Sequence, residues 1–182
     1  MNDTNLNLER NLVFAKSDAW QGMPIPFLPR QHACVITCID PRVDPAAFLG
    51  LELGDAVVLR NVGGRVTHAV LQDVAYISYL VESKAPEGPW FEVAVIHHTD
   101  CGSALLADDH FRHDFAERTG FDEAALAELP VVEPAQTVRA DVDRLLSAPQ
   151  LSPRVSVSGH VYDLATGLVS TVAAAASPPR HT

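Results

Sequence analysis

Three short apolar runs rich in β-branched residues, 33–38, 56–60 and 91–97, are each bounded by turn residues and set apart by longer segments of different pattern. That spacing constrains the fold more than any other feature of the chain. A run apolar at nearly every position, rather than at alternate ones, reads as a strand buried on both faces. Between the second and third runs, residues 67–83 carry Val70, Leu71, Val74, Ile77, Leu80 and Val81 in a pattern that suits a largely buried helix, with Thr67 placed to cap it. Residues 102–109 read as a helix entered directly from Cys101, and 134–148 as an amphipathic helix with Val138, Val142 and Leu145 on one face. Residues 154–163 and 168–172, separated by Leu164-Ala165-Thr166-Gly167, read as a closing hairpin. Strands alternating with helices predict an α/β fold. Its central sheet is mostly parallel and flanked by helices on both faces, with an antiparallel edge strand from the C-terminal hairpin. In such sheets ligands bind beyond the carboxyl ends of the strands.

Ahead of the first strand, residues 4–17 have a loosely helical pattern and 20–29 form a Trp/Pro-rich stretch that cannot be regular, giving an N-terminal helical arm and a loop. No repeat, linker or charge run divides the chain. A single domain over residues 1–182 is expected, with 1–30 as arm and loop and 31–182 as the α/β core. Thirteen basic residues, eleven of them Arg, are scattered among twenty-three acidic ones for a formal charge of −10. With no basic stripe, neither nucleic acid nor an anionic membrane is an expected partner. No apolar run approaches the roughly 18–20 residues that cross a bilayer, so a soluble, unexported, cytoplasmic protein is expected.

Three cysteines, Cys34, Cys38 and Cys101, are too few for a disulfide framework and read as core residues or metal ligands. The first strand ends on Cys38; the third runs into His98, with Cys101 three residues later. If the two strands are parallel neighbours, their carboxyl ends bring Cys38, His98 and Cys101 together. Two thiolates and one imidazole form a recognised zinc set, and three protein ligands leave a fourth position open. Cys34 cannot join Cys38 on one ion, because four residues of strand span about 13 Å; it reads as core packing. His97 and His98 point to opposite faces of a strand, and the H-x-x-C spacing selects His98. Asp40 stands two residues beyond Cys38, within reach of a metal or of a water bound to it, and Arg42 can grip that carboxylate in a bidentate pair. Alternatively, Asp40-Pro41-Arg42 is simply a turn. His68, His110 and His113 are candidates for proton transfer, but nothing in their spacing ties them to the ligands.

Taken together, Cys38-x-Asp40-x-Arg42, His98-x-x-Cys101-Gly102 and the intervening Arg60-Asn61-Val62-Gly63-Gly64 resemble the β-carbonic anhydrase family. The form His98-Thr99-Asp100-Cys101-Gly102 looks like a compact bacterial subgroup that includes carbonyl sulfide hydrolase-like members. The resemblance implies one zinc per chain on Cys38, His98 and Cys101, with Asp40 and Arg42 as the catalytic dyad. It also implies homodimers, or higher even-numbered oligomers, in which N-terminal helices embrace the partner. Gly63, Gly64 and Gly102 are expected on the substrate's side, the first two by permitting an unusual turn and Gly102 by exposing an amide. Pro41 and Val62 depart from the residues more usual in the family, the first removing a backbone donor beside the site.

The activity implied is reversible hydration of carbon dioxide to bicarbonate, with zinc acidifying the attacking water. Hydrolysis of carbonyl sulfide or carbon disulfide at the same site is the alternative, favoured by a wider apolar channel. A third reading is a structural or regulatory zinc module in which Asp40 closes the fourth position.

Overall fold

A computed structural model of the protein describes residues 4–17 and 27–179, with backbone alone for 4–6; residues 20–26 of the Trp/Pro-rich stretch lie outside this set. At its centre is a five-stranded sheet of order β2-β1-β3-β4-β5. Strands β1 (Ala33–Cys38), β2 (Ala56–Asn61), β3 (Phe91–His98) and β4 (Val155–Tyr162) are parallel, and β5 (Val169–Ala176) returns antiparallel from β4. The inner strands β1 and β3 are buried along almost their whole length, as their continuous apolar runs require. The similar run at 56–60 is not buried on both faces as expected: β2 is an edge strand of the sheet, with Val58 exposed, because an apolar run alone does not say which neighbours a strand will have.

One face of the sheet carries helices α3 (His68–Lys84) and α6 (Pro134–Leu146). Val70, Val74 and Val81 of α3, with Val138, Val142 and Leu145 of α6, join Cys34, Ile36, Val93, Val95 and Val157 in one core. Thr67 caps α3 by accepting from the Val70 N–H at 3.3 Å. On the opposite face the short α2 (Pro45–Leu49) stacks Phe48 on Tyr162 with ring centroids 4.4 Å apart. The arm is helical, α1 (Thr4–Ala15). Among the described residues, no helix is long and apolar enough to cross a membrane.

The single helix expected over 102–109 is instead a 3₁₀ turn, Gly102–Ala107, followed by α4 (Asp109–Thr119) and α5 (Glu123–Ala127). The break falls at Asp108, whose carboxylate accepts from the Phe111 N–H at 2.9 Å and so starts a new helix. Helix α4 is mostly polar, its large apolar residues being Phe111 and Phe115 one turn apart. Apolar periodicity therefore does not mark it; the capping aspartate does.

The chain leaves β1 for β2 on one side and returns to β3 on the other, so the carboxyl ends of β1 and β3 flank the point where the strand order reverses. A tight loop presses against this point. Asn61 closes it from both sides, its Nδ2 donating to Arg65 O at 2.7 Å and its Oδ1 accepting from Arg65 N at 2.8 Å. Inside it Gly64 has φ +67, and a Cβ there would stand 2.7 Å from the Thr37 carbonyl carbon and 2.8 Å from Cys38 N. The loop is tied to α6 through Asp141, 1% exposed, which accepts from Arg65 Nε at 2.7 Å, Arg65 Nη2 at 3.1 Å and Val66 N at 3.1 Å.

Gly64 and Gly50 separate backbone strain from steric conflict, since Gly50 has nearly the same φ, +66, with nothing within 4 Å of its would-be Cβ. Gly50→Ala is expected to cost about 1 kcal/mol, the left-handed penalty alone. Gly64→Ala adds a backbone collision and is expected to cost at least ~3 kcal/mol. Denaturant midpoints of the two variants measure the difference, and equal midpoints would refute the close packing of this loop on β1.

Candidate metal centre

Because β1 and β3 are parallel neighbours, with Thr37 opposite Ile96, the turns that follow them emerge side by side. Cys38, His98 and Cys101 meet there: their ligating atoms all lie within 4.8 Å of one another, and all three residues are buried. The two sulfurs are 3.8 Å apart. Tetrahedral bonds of about 2.3 Å to one zinc put two sulfurs about 3.8 Å apart, so the thiol pair already has the separation such an ion requires.

His98 supplies a second test of fit. Its Nδ1 lies 2.9 Å from the Thr99 carbonyl, so Nδ1 carries the proton and Nε2 keeps its lone pair. That Nε2 is buried with no hydrogen-bond partner. A sealed acceptor without a partner is costly unless a cation meets it. The donor set therefore fits a thiophilic divalent ion such as zinc.

The charges agree with this. Cys101 is pulled down to about 6 by its hydrogen bond with Cys38, against the opposing effect of burial and with help from Ser103. Cys38, on the other side of the same bond, is pushed up to about 12 by it and by burial. The hydrogen bond between the two sulfurs thus favours the thiolate at Cys101, the form in which a cysteine binds a metal. Cys34 is different: fully buried among the core valines, it is pushed up to about 12, chiefly by burial. It lies in the core and outside the ligand cluster, as its place on β1 predicts.

Asp40 sits at the rim, its Oδ2 4.0 Å from His98 Nε2. Arg42 holds it in the expected bidentate fashion, Nε to Oδ1 at 3.0 Å and Nη2 to Oδ2 at 2.7 Å, while the Arg42 N–H adds 2.9 Å to Oδ1. These bonds hold the Asp40 carboxyl down to about 2, against the opposing effect of burial. The turn is itself fixed by Arg60, whose Nε donates to Cys38 O at 2.9 Å and Nη2 to Asp40 O at 2.8 Å.

Several contributors escape the motif reading. Ser103 Oγ accepts from the Val131 N–H at 3.1 Å, leaving its own proton for Cys101 Sγ at 3.2 Å. Its only signal in the sequence is its position two residues after a ligand. His97, on the other side of β3 as the strand alternation requires, has Nε2 3.2 Å from Gly64 O and 3.3 Å from Asp141 Oδ2.

A cavity of about 1160 Å³ opens beside the cluster, with Cys38, Asp40, Gly63 and Gly102 in its wall and Val62, Leu106, Phe111, Phe115 and Leu129 making it largely apolar. Gly64 is not in the wall; its missing side chain is what lets the loop approach β1. Of the three histidines considered for proton transfer, His68 lines the cavity, His113 pairs with Glu123 at 3.2 Å, and His110 joins neither arrangement.

The carbonic anhydrase family profile matches residues 33–169, spanning β1 to β4 and every residue of the cluster. Beta-carbonic anhydrase 1 of Mycobacterium tuberculosis is 31% identical over 149 residues, 82% of this chain and 86% of the relative. A carbon disulfide hydrolase of Acidianus is 25% identical over 155 residues, 72% of each chain. Among solved structures, a carbonic anhydrase from Streptococcus mutans superposes with a TM-score of 0.79 at 30% identity, over 94% of this chain and 98% of that one. The parallel sheet with its reversal at β1 and β3, and a family match running through all three ligand positions, lead to one assignment: the chain belongs to the β-carbonic anhydrase family.

Proposed function

We propose that the protein catalyses the reversible hydration of carbon dioxide to bicarbonate with one zinc per chain, held by Cys38, His98 and Cys101. The observation that carries this reading is the convergence of three buried ligating atoms within 4.8 Å beside a carboxylate that Arg42 keeps ionised. Zinc bound there supplies the Lewis acidity that makes water a nucleophile near neutral pH.

The chain's own groups do the rest. Asp40 Oδ2, the carboxylate oxygen within 4.0 Å of His98 Nε2, accepts the hydrogen of the attacking water and so fixes the direction of its lone pair. With its pKa held down to about 2, Asp40 orients that hydrogen bond and stores no proton; the proton leaves to solvent. Arg42 keeps the carboxylate on the rim, off the metal. The Gly102 amide and the apolar wall of Val62 and Leu106 receive a small, linear, uncharged substrate.

Hydrolysis of carbon disulfide or carbonyl sulfide is the second reading, favoured by the breadth of the apolar cavity and by the similarity to a carbon disulfide hydrolase. An apolar wall rewards sulfur, which is larger and less hydrated than oxygen. The protein also acts as a homodimer joined through its arm: α1 exposes Leu8 (63%), Leu12 (60%) and Val13 (71%), an apolar surface that a second copy of the chain would cover.

A zinc-loaded preparation assayed for carbon dioxide hydration and for sulfide release from carbonyl sulfide and carbon disulfide is expected to be active in the first. Sulfide release alone would replace it with the second reading, and activity in neither would favour a structural zinc module. Metal analysis should find zinc lost in Cys38→Ala, His98→Ala and Cys101→Ala and retained in Cys34→Ala. Deleting residues 1–17 should lower the mass seen by light scattering and reduce activity; an unchanged mass with full activity would refute the arm's role.

A further inference from the structure

The Asp40–Arg42 pair is gripped from its far side by a residue whose place between two ligands hides it. Arg42 Nη1 donates to Asp100 Oδ2 at 2.8 Å, and Nη2 donates to the Asp100 carbonyl at 3.0 Å. The guanidinium's other edge, Nε and Nη2, is the one that holds Asp40. A planar group with bonds on both edges cannot rotate or tilt without breaking one of them. Asp100 belongs to the turn leaving β3 and Arg42 to the turn leaving β1, so the contact also locks the two ligand-bearing turns together.

The backbone of Asp100 points the same way. It has φ +53, in the left-handed region that residues with side chains seldom enter and that aspartate tolerates better than most. In that conformation both its carbonyl and its carboxylate reach Arg42. Its side chain is 82% exposed, so the ion pair adds little to overall stability. A strained backbone maintained for so small a gain in stability is characteristic of a functional site.

We propose that Asp100 is a positioning residue for the hydration reaction, fixing the Arg42 guanidinium so that Asp40 keeps its orientation beside the ligands. It acts through Arg42 and touches no substrate, and this role rests on the functional reading above.

The test compares Asp100→Ala, Asp100→Gly and Asp100→Asn in zinc-loaded protein, with arginine side chains labelled for NMR. Asp100→Gly relieves the backbone strain while removing the carboxylate, so a loss it shares with Asp100→Ala is not a folding effect. In both, kcat for carbon dioxide hydration should fall about tenfold with KM within about twofold, as a misplaced group rather than lost binding requires. Zinc content should be retained. The separate Arg42 Nη resonances of a clamped guanidinium should merge as rotation is freed. Asp100→Asn, which keeps a carbonyl acceptor, should restore most of kcat and the separate resonances.

Unchanged kcat in both Ala and Gly variants, unchanged Arg42 resonances, or an Asn variant as impaired as Ala would each overturn the proposal. If the unmodified protein hydrates no carbon dioxide, the functional reading fails instead, and the Arg42 resonances alone decide whether Asp100 clamps it.

Discussion

A carboxylate nearly sealed from water holds the three parts of this site in place. Asp141, on α6, accepts from Arg65 and from the Val66 N–H, and lies 3.3 Å from His97 Nε2 on β3. Burial pushes its pKa up, but the bonds from His97 and Arg65 outweigh burial and leave it below the usual carboxylate range. A buried charge so well bonded contributes less to net stability than to fixing one arrangement, because losing any partner strands the rest. Here that arrangement joins α6, the glycine loop and β3. Through the loop it also fixes β1, since Gly64 rests directly on the backbone of Thr37 and Cys38. Cys38, at the end of β1, is thus located by Asp141, more than a hundred residues further along the chain.

Most of the sheet was legible because buried strands and helices leave different periodicities. Cys34 and Ile36 match Val93 and Val95 across β1 and β3, where the apolar runs that contain them are buried, whereas the similar run 56–60 forms the edge strand β2. The closing hairpin was marked by Leu164-Ala165-Thr166-Gly167 between two β-rich runs. The cluster of Cys38, His98 and Cys101 was legible because these residues fall at or just beyond strand ends, which parallel pairing of β1 and β3 brings together. What was not legible lies where side chains act on backbone. Arg60 donates to two carbonyls of the Asp40 turn, Ser103 joins a thiol to the Val131 amide, and Asp108 starts α4 with one hydrogen bond. None of these has a period. The first two depend on distant segments being close already, which pattern reading cannot supply; the third is local and is marked by the capping aspartate rather than by any apolar period.

The three cysteines show how far surroundings govern one chemical group. Cys34 and Cys38 stand on one strand, four positions apart. The first is enclosed by apolar side chains with no cationic group to favour a thiolate, and burial keeps it protonated and inert. The second ends the strand facing another sulfur and an imidazole, where losing a proton is offset by whatever cation those three donors share. Ser103 continues the pattern, since a hydroxyl that must accept from Val131 has its proton left for Cys101.

Cys38 and Cys101 are 63 residues apart, whereas His98 and Cys101 are separated by a single turn of chain. Closing the longer span requires β1 and β3 to have paired, and pairing of that range comes late because its loop entropy must be met before any contact rewards it. The disordered chain therefore offers a metal only a weak two-donor fragment, and the complete set exists once the sheet has formed. A metal ion held by these three side chains would therefore gain its full coordination only as β1 registers against β3, and once bound it would oppose their separation.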